Sequence, residues 1–176
     1  MTTSSSDISA DISAWFSGRL PAEWTRHGPP TVVVDREEIT VTLEIAAPDL
    51  ADGTTDTARA EAAAGRIAGF RDDTREQRMS IAREAEHRFE RKVAWGVRTD
   101  GHAALFTHIA VPAMTRLRQP ERQVLDTLIA AGVARSRADA LAWCVKLVGQ
   151  HADDWLAELR SALDDVERIR AEGPAV

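Results

Sequence analysis

At 176 residues and 19.3 kDa the chain has room for one ordinary core, or for a small domain with an accessory module, and not for an enzyme of several lobes. Its 44% hydrophobic and 28% charged residues describe a globular protein, not a fibrous one, and a net charge of −6 opposes unspecific attraction to nucleic acid or anionic membrane. A lone cysteine, Cys144, excludes an internal disulfide framework; with no apolar run of about 18 residues and no basic-then-apolar leader, a cytoplasmic location without a membrane partner is expected.

The Ser- and Thr-rich start, residues 1–11, has little to bury and is expected to be a disordered tail. Residues 12–112 are expected to form an α+β domain of unknown role. ISAWFSGRLPAEW supplies an apolar helix or strap, closed by Pro29 and Pro30. In TVVVDREEITVTLEIA, apolar residues alternate with polar ones on both sides of a polar turn, Asp35 to Glu38, which predicts a hairpin with one wet face. The alanine-rich stretch 58–70 favours helix in spite of Gly65 and Gly69. A second helix is expected from a cap at Asp73 or Thr74 to about Glu90, with Met79, Ala82, Ala85 and Phe89 inward and Ile81 beside them. Residues 92–112 predict another hairpin, turned at Asp100-Gly101. The fold class that follows is α+β: an N-terminal antiparallel sheet with packed helices.

Beyond Pro112 the pattern changes. A brief strand, Ala113 to Gln119, runs into a helix beginning at Pro120 or Glu121, where proline sacrifices no hydrogen bond, with Val124, Leu125, Leu128 and Ile129 as its buried stripe. Gly132 ends that helix. Ser136 caps the next, with Asp139 three residues on, and Ala140, Leu141, Cys144, Val145 and Val148 are expected to face inward. A C-terminal amphipathic helix within residues 150–176 carries Trp155, Leu159, Ala162, Leu163, Val166 and Ile169 at spacings of three and four.

Charge is uneven along the chain. Residues 1–111 hold 13 basic and 18 acidic side chains, whereas residues 114–146 set Arg116, Arg118, Arg122, Arg135, Arg137 and Lys146 against Glu121, Asp126 and Asp139. On a strand, Arg116 and Arg118 share one face with Met114, and Leu117 takes the other. Two such strands paired across a two-fold axis would present four arginines on a ribbon that fits the DNA major groove. An arginine there can donate two parallel hydrogen bonds to guanine, and Met114 can touch a thymine methyl group. The first amides of the helix after Ser136, with Arg135 and Arg137, are suited to a phosphate.

MTRLRQPE, VLDTLIAA, the turn GVARS and SRADALAWCVKLV together resemble the ribbon-helix-helix family of dimeric DNA-binding proteins, over residues 113–149 only. The resemblance implies an intertwined homodimer on a pseudo-palindromic stretch of double-stranded DNA. It implies base contacts from Met114, Arg116 and Arg118, a core role for Leu117, and phosphate contacts from Arg135, Ser136 and Arg137.

Chemistry is thinly represented. Five histidines have no metal-ligand spacing, no Gly-rich phosphate loop occurs, and Cys144 sits mid-helix among apolar neighbours, so no catalytic residue, metal or cofactor is assigned and no enzyme is expected. Glu76, Arg83, Glu84, His87 and Glu90 could line a cleft, but an exposed charged helix face accounts for them as well. Trp15, Phe16, Trp24, Phe70, Phe89, Trp95 and Phe106 could serve a protein or small-molecule partner of the first domain, or simply its core. The favoured expectation is a DNA-binding transcriptional regulator. Its alternatives are an adaptor or scaffold component that dimerises without DNA, and a small enzyme with an unidentified site.

Overall fold

In the computed structural model, residues 5–172 are described, and the chain divides into two compact units, Met1–Val111 and Pro112–Val176. The first opens with helix α1 (Ser5–Arg19), so residues 5–11, assigned by composition to a tail, are helical; residues 1–4 lie outside the described residues. Ile12, Phe16 and Leu20 recur at helical spacing along α1 and its end, and all are buried.

Strands β1 (Thr31–Val34) and β2 (Glu38–Glu44) form the expected hairpin, with Val32 opposite Val41. Asp35 Oδ1 holds its turn by accepting from the amides of Glu37 and Glu38 at 2.8 and 2.6 Å. Strands β3 (Lys92–Thr99) and β4 (His102–Leu105) form the second, turned through Asp100 and Gly101 at φ +48° and +75°, as a tight turn with two left-handed residues requires.

The sheet order is β1-β2-β3-β4, but its central pair is parallel, so the sheet is mixed and not antiparallel throughout. The cause is the connection: β2 and β3 are joined by two helices, α2 (Asp56–Asp73) and α3 (Arg75–Phe89), and such a crossover lets the chain re-enter the sheet in the same direction. Register across that pair sets Ile39, Val41 and Leu43 beside Val93, Trp95 and Val97, all buried, and this face forms the core with α1 and with Ile81 and Ala85 of α3. The other face has little room at Gly96, where a Cβ would lie 3.2 Å from the Ala104 carbonyl.

The inward face of α3 is rotated from its expected position. Met79 is exposed and Arg78 is buried. Arg78 donates from Nε to Thr74 Oγ1 and from Nη2 to the Arg71 carbonyl, and its guanidinium lies 4.8 Å from the centre of the Phe106 ring. With no carboxylate hydrogen-bonded to it among the described residues, burial is the main influence lowering its proton affinity, reinforced by Arg71 and Arg75.

The second unit is helical: α4 (Gln119–Ala130), α5 (Arg137–His151) and α6 (Asp153–Glu172). Leu125, Ala134 and Ala140 are its buried apolar residues, with Leu117, Leu128, Ile129, Leu141 and Cys144 packed around them. Val124, Val145 and Val148, expected to face inward, are exposed. So small an enclosure cannot cover the apolar stripes of its own helices. Among the described residues no helix is long and apolar enough to cross a membrane.

Candidate nucleic-acid interface

The strand expected over 113–119 does not form: residues 113–118 have no regular secondary structure and Gln119 already opens α4, while β4 has ended at Leu105, so the segment does not continue the first unit's sheet. Within it Leu117 alone is half-buried, packed against the Leu125 cluster. Met114, Arg116 and Arg118 are exposed, and neither arginine makes a side-chain ion pair or hydrogen bond among the described residues. Thr115, placed with Leu117 by alternation, is exposed too. Arg122 Nη1 donates to the Leu117 carbonyl at 2.7 Å and so fixes the end of the segment to the first turn of α4.

A groove of about 300 Å³ lies alongside, bounded by Ala113 and Leu117 of the segment, Leu125 of α4, and Ala138 and Leu141 of α5. Its wall is largely aliphatic.

At the start of α5, Ser136 Oγ accepts from the Asp139 amide at 3.2 Å, and Asp139 Oδ2 accepts from the Arg135 amide at 2.9 Å. The amides of Arg137 and Ala138 lead the helix and have no acceptor within it. The three residues expected to meet phosphate thus differ in availability. Arg135 is almost fully exposed, with Asp139 only at 4.0 Å from its Nε. Ser136 is engaged as a cap. Arg137 donates from Nε and Nη2 to the two carboxylate oxygens of Asp126, both at 2.7 Å, which ties α5 to α4 and leaves Nη1 for another acceptor. Those hydrogen bonds hold the Asp126 carboxyl below the usual carboxylate range and raise the Arg137 guanidinium. Alternation and capping pointed to every one of these positions except Asp126 and Arg122, whose partners lie in other elements.

In the first unit the large rings go mostly into packing: Phe16, Trp24 and Trp95 are buried in edge-on contact, and Trp15, Phe70, Phe89 and Phe106 are half-buried around them. Trp95 Nε1 has no acceptor among the described residues. Trp24 and Phe70 also border an open cleft of about 530 Å³ rimmed by Glu44, Arg66 and Asp73. Glu84, a candidate cleft residue beside His87, instead accepts both hydrogen bonds of the Arg19 fork at 2.6 and 2.7 Å. No group of three or more acidic, His or Cys side chains able to hold a metal occurs among the described residues.

The two units match two family descriptions separately: residues 10–105 match the N-terminal domain of Rv1265-like proteins, and residues 118–170 match the Mb1296 C-terminal domain. The chain is 59% identical over 160 residues to Mycobacterium bovis Mb1296, covering 91% of this chain and 69% of that protein. It therefore belongs to the Rv1265-like family. The same identity and coverage hold for Rv1265 and MT1303 of two Mycobacterium tuberculosis strains, each named as an uncharacterized protein. No solved structure matches the chain.

Proposed function

We propose that this Rv1265-like protein is a sequence-specific DNA-binding homodimer of the ribbon-helix-helix type, acting as a transcriptional regulator. The observation that carries the reading is the segment 113–118: outside every helix and ladder, with Leu117 packed on the helices and Arg116 and Arg118 exposed and without a side-chain partner among the described residues. Two copies pair antiparallel along this segment, each closing the other's groove, and Val145 and Val148 of α5 are covered in the same association. The ribbon enters the major groove, where Arg116 and Arg118 read guanine and Met114 meets a thymine methyl group.

Positioning falls to the start of α5. Arg135 and the leading amides meet a phosphate, and Arg137, already forked to Asp126, orients that end of the helix and adds its remaining Nη1. The overall charge of −6 restrains unspecific binding, so affinity depends on the local basic surface.

Selection from random duplex DNA tests the reading. The full chain is expected to enrich a two-fold symmetric sequence, and a chain with Arg116→Ala and Arg118→Ala to enrich none. Equal, weak retention of all sequences by both proteins would contradict it. An adaptor that dimerises without DNA would give that same null selection while remaining a dimer.

A further inference from the structure

Helix α6 turns an apolar stripe to solvent that nothing in the dimer proposed above requires for reading DNA. Trp155, Leu159, Val166 and Ile169 are between 43% and 61% exposed. With Ala162 they follow the spacing four, three, four, three, which is the alternation of inner positions in paired helices. Helix α5 passes into α6 with one irregular residue, Ala152 at φ −122°, and hydrogen bonds from the Ala152 amide to Val148 and from the Leu156 amide to Ala152 carry helical pairing across it. Within α6 the stripe keeps one phase over five positions, a pattern that suits a second helix running alongside it.

The flanking charges identify that helix. Glu158, Asp165 and Glu172 occupy one shoulder of the stripe, and Leu156, Leu163 and Arg170 the other. In a parallel pair each shoulder meets the opposite shoulder of its neighbour five residues on, which brings Asp165 to Arg170 of the second copy. In an antiparallel pair the acidic shoulders face each other, with Glu158 against Asp165. Opposite charges at such positions set partner and orientation. We infer that α6 pairs in parallel with the α6 of a second copy, as a zipper separate from the DNA-reading ribbon. The pairing rests on the homodimer proposed above, and its two-fold axis runs along the helices, so identical residues face each other. Twenty residues of helix, about 30 Å, place five inner layers in register, from Trp155 to Ile169.

A cysteine at an inner position therefore faces its own copy. In the full chain with Cys144→Ala, Ala162→Cys is expected to form a covalent dimer under mild oxidation, and Ser161→Cys, one position round the helix, is not. Leu159→Asp is expected to weaken dimerisation at least tenfold in sedimentation equilibrium. A dimer that neither links through Ala162→Cys nor weakens with Leu159→Asp would overturn the zipper and leave the ribbon reading intact. Equal linking at both cysteine positions would also overturn it. Linking through Ala162→Cys alone, in a chain that enriches no DNA sequence, would support the zipper and remove the DNA reading.

Discussion

Arg116 and Arg135 are both exposed arginines, yet the proposed DNA reading gives them different tasks. Replacing Arg116 with Ala is expected to relax base preference at one symmetry-related pair of positions, by about 1–3 kcal/mol of discrimination. Replacing Arg135 should weaken binding across sequences and lower its salt dependence. Binding curves on the selected duplex and on single-base variants, at several salt concentrations, separate the two; a uniform loss from both would place Arg116 on the backbone. The Arg137–Asp126 fork has a pH signature. Because folding depresses the Asp126 carboxyl below its ordinary value of 3.8, its contribution is complete well above that value and disappears as pH falls through the depressed one. Asp126→Asn is therefore expected to lower the melting temperature near neutral pH, with a gap that starts to close below about pH 4 and vanishes in stronger acid. Trp95 makes a different point, since its buried N–H has no acceptor among the described residues. Trp95→Phe should cost less than about 1.5 kcal/mol in denaturant unfolding, the lost volume being offset by removal of an unpaired donor. Leu117 packs inward as alternation expected, but Thr115, placed beside it by the same pattern, is exposed, because the segment does not form a strand. Asp126 and Arg78 were not legible, because their partners come from contacts between turns and elements that no periodicity encodes.

At the level of elements, hairpins were the easiest to read. Alternating valines and isoleucines around a polar turn, and Asp100-Gly101 at the second turn, specify their pairing locally. The parallel union of β2 and β3 was not legible, since it is decided by how α2 and α3 carry the chain across the sheet. Nor was the rotation of α3, where Arg78 displaces Met79 from the core because Thr74, the Arg71 carbonyl and the Phe106 ring receive its polar end. Gly65 and Gly69 are a liability in the interior of α2: a Cβ at either position would meet no atom within 4 Å. Changing each to Ala is expected to raise unfolding free energy by about 0.5–1 kcal/mol. Gly101→Ala should lower it by about 1 kcal/mol, because φ +75° is strained for a residue with a side chain. Thermal or denaturant unfolding of the three variants checks both signs.

As a whole the molecule combines a well-enclosed α+β unit with a helical unit whose apolar surface exceeds what three helices bury. That imbalance is where sequence reading met its limit: it placed Val124, Val145 and Val148 in a core, and a single chain leaves them exposed. The self-association proposed above would cover them, and residues 113–118 are where the proposed pairing and the proposed DNA reading meet. Amide hydrogen exchange of residues 113–118, followed by mass spectrometry across a dilution series, tests this most directly. Pairing of the two strands predicts slowed exchange in that segment, lost as dilution passes through the dissociation of the dimer. Exchange at the rate of an unpaired chain, at a concentration where sedimentation still shows a dimer, would contradict it.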